Sequence, residues 1–195
     1  MAVQRKPAAQ RKARKPGSPS VWTYEDYLHI PDDGYRYEVV WGELTVPPSP
    51  TFGHQRVLGI LFSTLHQHVT AHDLGVVCVA PLDVVLSEQN VLQPDILFVT
   101  KERLHIVTEA NVNGAPDLVI EVLSPGTAAV DRGRRMDAFA AFGVLHCWLI
   151  DPLSHSLEVY ELRGERYEMV SRLTETDAFA PAIFPGLSLP LASVW

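Results

Sequence analysis

The sequence predicts an α/β protein: a mixed central sheet with helices on its faces and additional β-hairpins. Three observations carry this prediction. PDILFV (94–99), DLVIEVL (117–123) and HCWLIDP (146–152) are short, almost continuous apolar runs, the pattern of strands covered on both faces. HQRVLGILFSTLHQHVTAHD (54–73) instead spaces its apolar residues as a helix does. Turn residues at Asp33-Gly34, Trp41-Gly42-Glu43 and Arg163-Gly164-Glu165 interrupt stretches of strand-like alternation.

Taken in order, residues 1–20 form a basic tail, expected to be disordered, and residues 21–195 are expected to form a single domain. TYEDYLHIP (23–31) is a short helix, since Thr23 can cap it and Asp26 follows three residues later, close to a capping box. DDGYRYEVVWGELTVPP (32–48) is a hairpin in which Tyr35, Tyr37 and Val39 alternate with Arg36, Glu38 and Val40. Val57, Leu58, Leu61, Phe62, Leu65 and Val69 mark one face of a helix of about four turns, ended by Gly75. VVCVAPLDVVL (76–86) is the next strand, followed by PDILFV. KERLHIVTEANVNGAP (101–116), a polar loop or short helix, leads to DLVIEVL. A Ser124-Pro125-Gly126 turn precedes a second helix, over 128–142, stopped by Gly143. After HCWLIDP, LEVYELRGERYEMVSRL (157–173) is a closing hairpin.

Charge narrows the function classes. The formal net charge is −7, yet Arg5, Lys6, Arg11, Lys12, Arg14 and Lys15 all precede the first acid, Glu25. The rest of the chain holds 10 of the 16 basic residues against 23 acidic ones, a net of −13. Such a body repels nucleic acid on most faces, while the tail attracts phosphate without sequence preference. No apolar run approaches a bilayer span, and the N-terminus lacks the apolar segment of a secretory signal, so no membrane role is expected. Cys78 and Cys147 sit in apolar runs without metal-ligand spacing and are expected to be buried free thiols in a reducing, cytoplasmic setting. The sequence has no Gly-rich phosphate loop, nucleophile elbow or paired-cysteine motif, which argues against nucleotide cofactors and covalent catalysis.

One charge stands where none should. Glu121 lies inside the apolar run of DLVIEVL, and a lone buried carboxylate costs several kcal/mol or takes up a proton. Asp95 opens ILFV after Pro94; if the two strands are neighbours, both acids meet at one edge of the sheet. A hard divalent cation, Mg²⁺ or Mn²⁺, resolves that repulsion with one or two carboxylates, a backbone carbonyl such as that of Val122, and waters. Glu38 or Glu43 can supply a third acid, and His54 can reach the same edge. The plainer alternatives are a strand-start cap for Asp95 and a buried ion pair of Glu121 with Arg135 or Arg132. Arg135 itself could simply pair with Asp131 at i, i+4. His66, His68 and His72 do not share a helical metal face, and Asp117 and Ser124 suit turns or caps. Trp41, Trp148, Tyr160 and Tyr167 are expected in strands, in core or interface rather than as base-stacking platforms.

The two acids look like the Pro-Asp … (Asp/Glu)-x-Lys signature of the restriction-endonuclease-like fold. More closely, YEVVWGEL, FGHQRV, QPDILFV, APDLVIEVLSP, DRGRRMDAF and GVLHCWLIDP, in this order over about residues 22–170, resemble the Uma2 family, formerly a domain of unknown function. The resemblance implies a restriction-endonuclease-like mixed sheet and a Mg²⁺-dependent nuclease cleaving nucleic acid, DNA foremost. It assigns Asp95 and Glu121 to the metal, and Glu43 or Glu38 to the early glutamate. The expected lysine is missing. Two residues after Glu121 stands Leu123, and the later word, DRGRK-like in the family, is DRGRR here, so Arg135 takes that place. Arginine holds a phosphate bidentately but cannot surrender a proton. Lys101, the one lysine of the body, is a further candidate beyond the Pro-Asp strand. A nuclease fold that binds or assembles without efficient chemistry is the alternative. Edge hairpins make a homodimer reasonable.

Overall fold

The computed structural model describes residues 20–124 and 131–195. The basic tail, most of the Ser-Pro-Gly turn and the expected helix start at 128 lie outside the described residues. The elements are α1 (Tyr24–Leu28), β1 (Glu38–Val40), β2 (Glu43–Thr45), α2 (Phe52–Ala71), β3 (Gly75–Val79), β4 (Val84–Ser87), β5 (Asn90–Leu92) and β6 (Ile96–Thr100). They continue with β7 (Val112–Asn113), β8 (Leu118–Val122), α3 (Met136–Ala141), β9 (His146–Asp151), β10 (Ser156–Arg163), β11 (Arg166–Thr174), β12 (Ala178–Phe179) and β13 (Leu189–Pro190).

The expected mixed central sheet is present, with a second, smaller sheet beside it. A six-stranded sheet runs β11-β10-β9-β8-β6-β3, a five-stranded sheet runs β2-β1-β5-β4-β7, and β12 pairs with β13 apart from both. The larger sheet is mixed, because β8 is parallel to β9 but antiparallel to β6. The expected strand 76–86 divides between the sheets: β3 stays in the larger and β4 joins the smaller. Pro81 explains the break, since it has no N–H for a ladder and sits between the two halves.

Local chemistry accounts for the helices. Thr23 Oγ1 accepts the Asp26 N–H at 3.2 Å, and Asp26 Oδ2 accepts the Thr23 N–H at 3.0 Å, completing the capping box. Thr51 caps α2 by accepting the His54 N–H at 3.2 Å. The apolar stripe of α2 then packs on one face of the large sheet, against Phe98, Leu118, Ile120, Val122 and Trp148. The opposite face of β8, through Val119 and Leu123, packs with Phe139 of α3 and with Val40 and Leu92 of the smaller sheet. Cover on both sides is why β8 reads as an unbroken apolar run. Cys147 is buried, Cys78 is half-buried, and both are free thiols.

The exit from α2 needs glycine. Gly75 has φ +144°, and a Cβ there would stand 2.1 Å from the Val99 carbonyl oxygen. Gly75→Ala is expected to cost about 2–4 kcal/mol, combining backbone strain with a clash against a rigid strand. A urea-unfolding midpoint within error of the parent would refute this account of the turn.

Candidate active site

The register of the large sheet brings the two acids together. β6 and β8 pair with Ile96 opposite Ile120, so one residue further Asp95 lies across from Glu121. The pleat turns Ile120 and Val122 toward α2, which leaves Glu121 on the α3 side with Val119 and Leu123. Glu121 is only 4% exposed there.

Arg135 answers the charge. It descends from the irregular wide turn Asp131–Arg135, in which Gly133 leaves helical geometry (φ −112°, ψ −107°), and is itself 5% exposed. Its Nη2 donates to Glu121 Oε1 at 2.5 Å and its Nε reaches the same oxygen at 3.2 Å. Nη1 donates to Glu38 Oε2, and Nε lies 3.4 Å from Asp131 Oδ1. The other Glu38 oxygen accepts the Gln93 N–H at 2.8 Å. Burial pushes the Glu121 carboxyl well above the usual glutamate range; Arg135 pulls it back down, while Asp95 and Asp131 push it further up. Burial works against the Arg135 cation too, but Glu121, Glu38 and Asp131 outweigh it and hold the guanidinium firmly protonated.

Asp95 has separate partners. Its Oδ2 accepts the Val122 N–H at 2.8 Å and lies 3.0 Å from His54 Nε2. Among the described residues, Asp95 Oδ1 and Glu121 Oε2 carry no hydrogen bond, and His54 Nδ1 is buried without one. Behind them runs a polar chain. Arg36 Nε donates to Gln93 Oε1 at 2.9 Å, Gln93 Nε2 to Asp83 Oδ1 at 2.7 Å, and Tyr27 Oη to the same Asp83 oxygen at 2.8 Å. Glu38, His54, Asp95, Glu121, Asp131 and Arg135 line one cavity of about 60 Å³, walled on one side by Pro47–Pro50, which is space for a few waters or a small hydrated ion.

Of the residues singled out from sequence, the fold brings together Glu38, His54, Asp95, Glu121, Val122 and Arg135. Glu43 does not line this cavity: it pairs at 2.5 Å with Arg134, both side chains being 45% exposed. Lys101 pairs with Asp73 at the far end of β6, about 20 Å from Asp95 by the strand rise. Asp117 is buried and anchors the same far end, accepting from the Thr100 N–H and from Arg103, each at 2.8 Å. Sequence reasoning missed Arg36, Gln93 and Asp131 as members of the site. The available signals were adjacency, Gln93 directly before Pro94-Asp95 and Arg36 two residues before Glu38.

A mixed sheet that delivers an aspartate and a glutamate from adjacent antiparallel strands, flanked by helices, is a restriction-endonuclease-like α/β fold. A crystal structure from Anabaena variabilis ATCC 29413, described as a "putative nuclease", has the same fold: the TM-score is 0.74 at 21% identity, over 88% of this chain and 96% of that one. The chain belongs to the Uma2 family, whose model, described as "putative restriction endonuclease", matches residues 24–192. No curated protein matches the chain. Among the described residues, no helix is long and apolar enough to cross a membrane.

Proposed function

We propose that the Asp95–Glu121 cavity is the active centre of a divalent-metal-dependent nuclease, acting on DNA or another nucleic acid. The observation that carries this reading is the pair of carboxylate oxygens left over once the protein's own hydrogen bonds are assigned. Arg135 takes Glu121 Oε1, and His54 with the Val122 amide takes Asp95 Oδ2, which leaves Glu121 Oε2 and Asp95 Oδ1 for another partner. Hard oxygens of this kind suit Mg²⁺ or Mn²⁺. No three Asp, Glu, His or Cys side chains among the described residues form a ready cage, which fits an ion held by two carboxylates and several waters. The charges agree. By formal charge Glu38, Asp95, Glu121 and Asp131 outnumber Arg36 and Arg135 in the cavity lining, and a cation there would favour the ionised Glu121 that burial disfavours. Bound there, such an ion would supply Lewis-acid polarisation of a phosphate and a more acidic water; the Val122 carbonyl is a further candidate donor.

The chain's own residues have distinct tasks. Glu38 has both oxygens committed, to Arg135 and to the Gln93 amide, so it fixes the guanidinium instead of binding an ion. His54 holds Asp95 in one orientation. Arg135 offsets the buried acids and offers positive charge to a phosphate, and it cannot act as a base. The matching family, described as "putative restriction endonuclease", and the similar structure, described as a "putative nuclease", support the substrate class.

Purified protein with Mg²⁺ or Mn²⁺ is expected to nick plasmid or single-stranded DNA, with Glu121→Ala at background. Undiminished cleavage by Glu121→Ala would remove the site assignment, and a calorimetric titration without divalent-ion binding would remove the metal. The Arg135 clamp favours a second reading, a nuclease fold that binds nucleic acid but turns over poorly, since the guanidinium occupies the glutamate. Under that reading the parent is silent and Arg135→Lys gains cleavage.

A further inference from the structure

The turn between β1 and β2 is built against its own sequence. Trp41 and Gly42 form its two central residues, with φ 53° and 69°, between Val40 and its partner Glu43. Such two-residue turns favour Asn, Asp or Gly first, because a bulky side chain in the left-handed region is strained. Here a tryptophan occupies that place with 44% of its surface exposed; the turn falls at Trp41-Gly42-Glu43 as expected, and the ring lies outside the core. Its ring stands 6.0 Å from that of Phe142, tilted by 34°. The turn is pinned from several sides: Asn90 Oδ1 accepts the Trp41 N–H at 2.9 Å, Gln89 O accepts the Gly42 N–H at 2.9 Å, and Gly42 O accepts the Trp22 N–H at 2.8 Å. A strained, rigidly held and exposed indole is an outlier that points to use.

The surroundings specify what it would meet. Arg134 straddles the turn, donating Nη2 to Val40 O at 2.9 Å and Nη1 to Glu43 Oε2 at 2.5 Å. This ion pair is exposed, so a phosphate can compete for the arginine. Arg135, next in the chain, enters the acidic cavity, and Glu38 stands three residues before Trp41, about 10 Å away by the strand rise. Val21 seats against the turn, with its Cγ1 2.5 Å from where a Gly42 Cβ would be. Trp41 and Arg134 do not line the cavity, but both are linked to it through the chain, Trp41 by β1 to Glu38 and Arg134 by its neighbour Arg135. Duplex bases are already stacked and unavailable to an indole, whereas unpaired bases stack on aromatic side chains whatever their identity.

We propose that Trp41, backed by Phe142 and flanked by Arg134, is a stacking platform for an unpaired base of a single-stranded nucleic acid led toward the Asp95–Glu121 cavity. The proposal rests on the reading that the chain acts on nucleic acid, and its test is kept separate from catalysis. Binding of a fluorescent oligo(dT) and of a duplex is measured by anisotropy at fixed salt in EDTA, for the parent, Trp41→Asn and Trp41→Phe. Asparagine tolerates the left-handed conformation, so the fold should be kept. The expected result is preference of the parent for the single strand, about a tenfold or greater weakening in Trp41→Asn, and partial retention in Trp41→Phe. Equal affinities of parent and Trp41→Asn, or absence of single-strand binding by the parent, overturn the platform. A change in oligomeric state in Trp41→Asn without a change in oligo(dT) affinity also overturns it, in favour of a protein interface. Cleavage with Mg²⁺ is scored apart: Trp41-dependent binding without cleavage sinks the nuclease and keeps the platform, and cleavage indifferent to Trp41→Asn does the reverse.

Discussion

Arg135→Ala is expected to destabilise the protein by about 3–5 kcal/mol, seen as a drop in the urea midpoint at neutral pH. The size follows from what the guanidinium leaves behind. Glu38, Glu121 and Asp131 are 3%, 4% and 6% exposed, and Arg135 is hydrogen-bonded to the first two and close to the third. Without it, three buried carboxylates face one another with no cation between them, the case in which breaking a buried pair costs far more than the pair is worth. The pH dependence has a definite sign. The Glu121 carboxyl is already pushed up by burial, and loss of Arg135, which pulls it down, raises it further. A raised carboxyl is tolerated while protonated, so the deficit of Arg135→Ala should shrink as pH falls toward 5 and widen as pH rises. Removing charge from the other side offers a check. Glu121→Gln in the Arg135→Ala background should recover part of the loss, so the two changes should not add. A deficit below about 1 kcal/mol, flat with pH, would mean that the acids are not paired as described.

The same arrangement ties stability to the proposed chemistry. A divalent ion in the proposed site would share Glu121 with the guanidinium, so Mg²⁺ should raise the midpoint of Arg135→Ala more than that of the parent. Placing a lysine there keeps one positive charge but loses the fork that spans Glu38 and Glu121. That difference is why the Arg135→Lys experiment bears on function as well as on folding.

How much of this was legible in the sequence differs from residue to residue. Glu121 was visible because a strand covered on both faces makes any charge in it conspicuous, and Asp95 because proline marks the strand start. Their convergence followed once the strands were taken as neighbours, and the antiparallel register supplies it. Glu38 and Glu43 could not be told apart. Both flank one tight turn, and what separates them is long-range: Arg135 and the Gln93 amide claim Glu38, while Arg134 claims Glu43. The smaller sheet was illegible for another reason. Asn90–Leu92 and Val112–Asn113 are too short to show a period, and they hold as strands through their neighbours in the sheet. The sequence marks Trp41-Gly42-Glu43 as a turn, yet an indole suggests core or interface, and only the left-handed geometry of that turn shows it exposed. The apolar runs, the helix and the hairpins carried the α/β class and the family resemblance its restriction-endonuclease-like kind; neither reached the C-terminal segment beyond the closing hairpin.

That segment supplies the second large effect. Phe184→Ala is expected to cost about 3–5 kcal/mol and to lower the melting temperature by roughly 10 °C. Phe184 lies between β12 and β13, in a stretch without helical or strand periodicity, yet it is 0% exposed. Its ring meets Phe98 at 4.8 Å and 68°, and Trp148 at 6.0 Å and 89°, both edge-to-face. Local hydrogen bonds hold the loop for this purpose, with the Phe184 N–H donating to Pro181 O and the Leu187 N–H to Phe184 O, each at 3.0 Å. Truncation would open a cavity between the large sheet and its C-terminal cover, and the aromatic neighbours are too well fixed to collapse into it. The location makes the experiment discriminating. Phe184 packs on the face of β8 that carries Ile120 and Val122, whereas Glu121 faces the other way, toward Arg135. Any cleavage activity per folded molecule, measured well below the transition, should therefore stay close to the parent value in Phe184→Ala. A loss of activity as large as the loss of stability would mean that the two faces of β8 are coupled and that the site depends on the C-terminal cover.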